Sequence, residues 1–242
     1  MTVVVLSSVG LLLLLILTRL SKIRVPGKRL DLIAVAAACL ICVMLLAIPT
    51  VYVTTDHLLG GRNIANLVSH LLLYVVFWIV GVQVASALVL TRARSLIVGP
   101  VNRTATAAVT GATIWLFFAS FLPTSSMGIL EYQDQWTVQA YLVLGRLYPA
   151  IISGLLVVPR SWKTALSVPL PLLRASSLLT LWGLTLVVPS PIFEAMKPYV
   201  MWAATAEDVC AYGGAALVAV GSALTWLSRR AENRPDETVF RG

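Results

Sequence analysis

The chain has 242 residues, and 59% of them, about 143, are Ala, Val, Ile, Leu, Met, Phe, Trp, Tyr or Cys. Only 12% are charged, roughly half the share usual in a soluble domain, and the mean hydropathy is +0.90. A water-soluble fold of this length cannot hide that much apolar surface, so soluble and disordered classes are excluded. At roughly 20 apolar residues per bilayer crossing, the apolar content supplies about seven helices and little else.

The first apolar run, 3–20, has no cation before it, while Arg19, Lys22, Arg24, Lys28 and Arg29 end and follow it. A cleaved signal carries its charge in front and ends in a small-x-small site, so this run reads as a retained first helix. Six further runs follow at 32–53, 65–90, 105–122, 137–158, 168–188 and 205–227. Each is near the crossing length, beyond what core strands reach. Breaks fall at Pro26-Gly27, Gly60-Gly61, Gly99-Pro100, Pro123, Pro159 and Pro189-Ser190-Pro191. The predicted fold class is all-α: a polytopic bundle of seven transmembrane helices over residues 1–227. Residues 228–242 are expected to form a short, disordered, cytoplasmic polar tail of mixed charge, too poor in apolar residues to fold alone. The tail is expected to lie on anionic lipid or to dock a partner.

The cations test the helix count. Loops one, three and five, the end of the first run and the tail hold 15 of the 18 Lys and Arg residues. Loops two, four and six hold only Arg62 and Lys197, and Arg146 lies inside the fifth run. Cations gather on the cytoplasmic side, so the split predicts an outside N-terminus and a cytoplasmic C-terminus in a plasma membrane. The formal charge of +8 is then a topology and lipid-surface signal. No soluble basic domain is present to bind nucleic acid.

The outer loops and span ends hold Asp56, Glu131, Asp134, Glu194, Glu207 and Asp208. Either acids are tolerated where cations are not, or they form an acidic mouth that attracts cations. Cys39-x-x-Cys42 in the second span and Cys210 in the seventh lack the setting of a zinc or redox site, and read as small packing residues. Gly213, Gly214, Ala215, Ala216, Ala219, Gly221 and Ala223 read as a face for close helix contact.

Polar residues inside the spans carry the functional argument. Arg146 lies near the middle of the fifth run with no charged residue beside it. On a 100° helical step, Gln135, Gln139 and Ser153 lie within about 20° of its direction. A central arginine costs a few kcal/mol or more unless it finds water, a carbonyl or an acid. It is therefore expected to face the bundle interior, as a ligand contact or as a structural lock. Its partners by depth are Glu207 or Asp208, favoured over Glu194. Asn63, Asn66, His70 and Tyr74 form a second polar stripe within about 80° on the third span. If these helices adjoin, His70, Asn66, Tyr74, Gln139, Arg146, Glu207 and Asp208 line an outward-opening pocket. His70 reads as a proton relay, a ligand contact or a structural donor.

The stretch Pro49-x6-Asp56-x3-Gly60-Gly61-x-Asn63, through Leu67, His70 and Gln83, resembles a family of actinobacterial seven-span membrane proteins, sometimes labelled transporters. The resemblance extends over most of the helical region. It implies a bacterial, multi-pass plasma-membrane protein, and it brings no established mechanism and no catalytic residue. Many members of that family continue into a cytoplasmic domain after the last helix, whereas this chain ends at Gly242.

Enzyme classes fail on what they need. The four lysines, Lys22, Lys28, Lys163 and Lys197, lie in loops, so no retinal Schiff base is expected. There are two histidines and no H-E-x-x-H, no buried acid pair, no G-x-S-x-G and no phosphate-cradling loop. No catalytic residue, metal or cofactor is expected. Two classes remain: an interaction or sensor module with a membrane or cytoplasmic protein partner, and a small-molecule or ion carrier around Arg146 and His70. The internal repeat on which alternating access usually rests is not visible, nor are the Pro-Gln dipeptides of three-plus-one-plus-three sugar exporters. The sequence thus leans to the module.

Overall fold

The computed structural model describes residues 31–232 together with Val9, Gly10, Leu12, Leu13, Ile16 and Leu17. Most of the predicted span 3–20, the cations Arg19, Lys22, Arg24, Lys28 and Arg29, and residues 233–242 lie outside the described residues. Every regular element among the described residues is helical.

Helix α1, Leu32–Leu46, starts where the Asp31 carboxylate accepts the Ile33 N–H at 3.0 Å. Pro49 opens α2, Pro49–Leu58, and drives the preceding Ile48 into extended backbone (φ −91°, ψ 121°). The two axes meet at 101°, which corrects the expectation of a single straight span over 32–53. Gly60, Gly61 and Asn63, at φ of 108°, 68° and 60°, turn the chain back into α3, Ile64–Ala87. At 24 residues α3 is about 36 Å long, enough to cross a hydrocarbon core.

After α4, Thr91–Val98, the next helix begins earlier than expected. Pro100 is not a break but the first residue of α5, Pro100–Ala119, because a helix start needs no N–H from that position. Its first half carries Arg103, Thr104 and Thr106, and α5 is not among the helices both long and apolar enough to span. A 3-10 turn, Met127–Tyr132, leads to α6, Trp136–Ile151.

Three of the remaining elements carry internal irregularities. Pro149 within α6 has no N–H for the Gly145 carbonyl, and the helix widens into a π turn at Ile152–Val157 before α7, Val158–Leu166. The expected stop at Pro159 is absent, and Trp136–Leu166 runs on for 31 residues. Helix α8, Pro171–Val187, is followed across Pro189 by α9, Ser190–Met196, so this run extends past the expected end at 188. Helix α10, Met201–Asp208, passes through a second π turn, Val209–Gly213, into α11, Gly214–Glu232. The predicted span 205–227 therefore starts too late, and the predicted tail starts inside a helix.

Among the described residues, four helices are long and apolar enough to cross a membrane, and five if the bent α1–α2 pair is one span. The protein is an all-helical, membrane-embedded bundle. Helices α8 and α11 cross most closely. A Cβ on Gly183 would fall 2.6 Å from the Gly214 carbonyl oxygen, and one on Gly214 would fall 2.9 Å from that of Gly183. With no hydrophobic force between helices in lipid, backbone contact of this kind supplies dispersion that larger residues would block. Val9 and Leu12 join Leu40, Ile41, Met44, Val76 and Ala219 in one apolar cluster. Cys39 and Cys42 are free thiols, half-buried and exposed, and Cys210 is a buried thiol.

Candidate functional site

Asn63 opens α3 and bonds the Thr124 carbonyl, Trp136 opens α6 and Lys197 closes α9, and the end of the bundle that these helix ends mark is called the cap end here. Arg146 projects from α6 into the interior and meets carboxylates from two other helices. Its Nε lies 2.6 Å from Glu207 Oε1 on α10 and 3.0 Å from Glu194 Oε2 on α9. At Nε these are ion pairs by distance, without the in-line N–H···O geometry of a hydrogen bond. Lys197 closes the group from the other side, with Nζ 2.9 Å from Glu194 Oε2 and 3.3 Å from Glu207 Oε2. Two cations and two carboxylates thus form a quartet whose charges cancel, and the buried Glu194 and Glu207 correct the expectation of no buried acid pair, because both helix ends carry them inward onto Arg146.

The quartet is buried unevenly. The carboxylate side chains are 3% and 4% exposed, while Arg146 keeps 23% of its side chain accessible. Taking four charges out of water costs several kcal/mol per ion before their attraction repays it, so such a group is weak evidence for stability. Arg146 is thus the least buried of the four side chains, Lys197 keeping 13%.

Two adjoining cavities flank Arg146. One, about 200 Å³, is lined by Tyr52, Asn66, Ser69, His70, Arg146 and Tyr212 among others, beneath Met127 and Gly128. The other, about 90 Å³, lies deeper and is almost wholly apolar apart from Arg146, Glu207 and Ser190. Leu40, Leu73, Arg146, Ala211 and Ala215 line both. The structure therefore brings Asn66, His70 and Arg146 to one cavity and Glu207 to its neighbour.

His70 is held between α3 and α6. Its Nδ1 lies 3.0 Å from the Asn66 carbonyl oxygen and 2.9 Å from Tyr141 Oη, whose hydroxyl donates to Asn66 Oδ1 at 2.7 Å. A carbonyl can only accept, so the Asn66 contact selects the Nδ1–H tautomer. Nε2 is buried without a polar partner and abuts Gly145, where any Cβ would overlap the imidazole ring. Gly145 is thus the residue that lets the two helices close on His70.

The other expected site residues are placed elsewhere. The Tyr74 hydroxyl bonds Thr113 Oγ1 at 2.8 Å and the Leu144 carbonyl at 3.4 Å, tying α3 to α5 and α6. Gln139 Nε2 donates to the Gln133 carbonyl at 2.7 Å, and the Gln135 amide bonds both backbone groups of Phe121. The expected polar face on α6 is therefore divided, with the two glutamines fastening the cap end and Arg146 serving the interior. Ser153, on the same face, is fully buried with an unpartnered Oγ. Asp208 is exposed and stands outside the quartet, which corrects its pairing with Arg146. Glu194, ranked last by depth, is a full member, because α9 continues the α8 run and carries it inward.

Asp56 corrects the acidic mouth. It is fully buried, and its carboxylate accepts the Asn63 N–H at 2.9 Å, the Ala65 N–H at 3.0 Å and the Ser125 hydroxyl. Asn63 completes the knot: its Oδ1 accepts from Tyr52 Oη at 3.0 Å and the Ser126 N–H at 2.7 Å, and its Nδ2 donates to the Thr124 carbonyl at 2.7 Å. With Glu194 and Glu207 in the quartet, Glu131, Asp134 and Asp208 are the exposed acids of the six. The signal for Asp56 was its spacing to Gly60-Gly61 and Asn63, a positive-φ turn that returns N–H groups to the carboxylate. Lys197 and Glu194 had a weaker signal, an i,i+3 pair of opposite charge at the end of an apolar run.

No group of three or more His, Cys, Asp or Glu residues among the described residues is arranged to hold a metal ion. No protein-family profile, curated protein or solved structure matches the chain.

Proposed function

We propose that the chain is a seven-span, non-enzymatic bacterial plasma-membrane module of the resembled family, with its N-terminus outside and its C-terminus cytoplasmic. In this reading the cap end faces outward, and the cavity at Arg146 receives a small ligand from that side. Occupancy then biases the helices around the quartet, and a membrane or cytoplasmic protein partner senses the change.

The single observation behind this reading is the buried, charge-balanced quartet beside two adjoining cavities. Charged groups at membrane depth are expensive and are functional by default. The cation distribution supports the orientation. Arg92, Arg94, Arg103, Arg160, Lys163 and Arg174 are exposed away from the cap end, whereas at the cap end Arg62 is exposed and Lys197 is tied up in the quartet.

A carrier is the second reading, and a separate observation favours it. The runs that supply Arg146, Glu194 and Glu207 are each irregular near the charged residue: Pro149 and a π turn, Pro189 and Pro191, and a second π turn. Discontinuous helices at mid-membrane are a recurrent feature of transport sites.

Native mass spectrometry of the tagged protein, released gently from its own membrane, tests the two. A second protein at fixed stoichiometry supports the module and identifies its partner. A bare chain with a reproducible small-molecule mass, together with saturable uptake in proteoliposomes, supports the carrier. A bare chain with no bound mass removes the ligand from both.

A further inference from the structure

At the end of the bundle away from the cap, cations stand without acids. No Asp or Glu occurs between Asp56 and Glu131 or between Asp134 and Glu194, the stretches that supply α3 to α5 and α6 to α8. Arg92 and Arg94 on α4, Arg103 on α5 and Lys163 on α7 are exposed, and none of the four has an ion-pair partner among the described residues. At eight residues, about 12 Å, α4 is too short to cross a membrane, and it begins where the long helix α3 ends. It is firmly held there. Ala93 and Ile97 are fully buried in one apolar cluster with Ala85 of α3 and Val158 and Ala165 of α7. Asn102 Nδ2 donates to the Ile97 carbonyl at 2.9 Å, which fastens the end of α4 to the first turn of α5.

Apolar side chains stand among these cations. Val89, at φ 56°, occupies the left-handed position after α3, and the next N–H, that of Leu90, donates to the Ala85 carbonyl at 2.7 Å. Glycine is usual at such a position, and a β-branched residue there is strained. Val89 is 78% exposed, so packing within the described residues does not offset the strain. Val101 is 79% exposed and Leu96 41%. Beside Lys163, Trp162 meets Trp182 edge-on with ring centroids 5.2 Å apart, and tryptophan collects at membrane boundaries. Cations that attract phosphate, interleaved with apolar side chains that enter hydrocarbon, are the pattern of a contact with an anionic lipid surface. An inorganic anion or an acidic protein segment would neutralise the arginines and give Val89, Leu96 and Val101 nothing to enter.

We propose that the corner formed by α4 and the start of α5 is a docking surface for anionic phospholipid of the surrounding leaflet. The phosphodiester lies against Arg92, Arg94 and Arg103, and Val89, Leu96 and Val101 lie against the acyl chains. This surface is independent of anything bound beside Arg146.

The test titrates the purified full chain in detergent with phosphatidylglycerol and with phosphatidylcholine of the same acyl chains, and counts bound lipid by native mass spectrometry. Phosphatidylglycerol is expected to bind on the order of a hundredfold more tightly at low salt, and about 0.5 M NaCl to remove most of that preference. Arg92→Gln, Arg94→Gln and Arg103→Gln are each expected to weaken phosphatidylglycerol about fivefold. Arg62→Gln, at an exposed cation of the cap end, is expected to change nothing. Val89→Gly suits the backbone and is expected to weaken the lipid severalfold with its salt dependence unchanged. Equal affinity for the two lipids, or a preference insensitive to salt, overturns the anionic headgroup, and this readout uses the parent chain, so it holds even where a variant does not fold. An undiminished preference in the three arginine variants, or an equal loss in Arg62→Gln, overturns the location. Displacement of phosphatidylglycerol by millimolar inorganic phosphate, or its exclusion by a co-purified acidic protein, overturns lipid as the occupant.

Discussion

Two buried polar knots lie in the same half of this bundle and behave differently. At Asp56 and Asn63, one carboxylate and one amide are satisfied mainly by backbone groups, two of them within ten residues in sequence. At Arg146, the partners are side chains 48 and 61 residues away on helices that are themselves broken. The first knot ends one helix, starts the next and pins the Thr124–Ser126 loop. It adjoins the cap-side cavity only through Tyr52. The second carries full charges beside open space. A polar group saturated by nearby backbone is architecture, whereas charges gathered across a bundle at a cavity remain responsive to what enters it.

Four substitutions sharpen that contrast, beginning with the largest effect. Arg146→Leu leaves two buried carboxylates facing Lys197 alone and should cost about 3–5 kcal/mol, read as a lower denaturation midpoint in lipid nanodiscs. Adding Glu207→Gln to it should recover part of that loss by restoring charge balance. If the double variant is no more stable than Arg146→Leu, the quartet is not the electrostatic unit described here.

Asp56→Asn should come next. It replaces one carboxylate oxygen with an N–H donor aimed at a backbone N–H or a hydroxyl, and should cost about 1.5–3 kcal/mol by the same measurement. Ligand binding per folded molecule should be unchanged. A variant as stable as the parent but deficient in binding would reverse the assignment of the two knots.

The smallest effect belongs to Asp208→Asn. An exposed acid outside the quartet should change stability by no more than about 0.5 kcal/mol, whereas Glu207→Gln at the preceding position should be several times more disruptive. Equal effects would mean that α10 is rotated from the orientation seen here.

Much of the architecture is legible without coordinates, and the misses have particular causes. The apolar runs at 65–90 and 137–158 mark α3 and α6 to within a few residues at their starts, because exclusion from water acts residue by residue. The boundaries slip at prolines. Pro100 begins a helix where a break is expected, Pro171 begins one inside the run expected from 168, and Pro149 and Pro159 are absorbed within one continuous run. The same ring that breaks a helix interior is harmless in its first turn, and only the surrounding contacts decide which case applies.

At the site, depth along the chain identifies Arg146, Asn66 and His70 as interior polar groups. Depth alone favours Asp208 as strongly as Glu207 and undervalues Glu194 and Lys197. Direction around a helix and adjacency between helices are needed to separate them, and neither is local. Hydropathy and charge by themselves determine that this chain is a membrane-embedded helical protein, since transfer from water to lipid is a sum over residues. Which charges meet, which glycines admit a neighbour and where space is left are decided only when the helices pack, because ion pairing and close contact depend on distances across the bundle that no stretch of sequence contains.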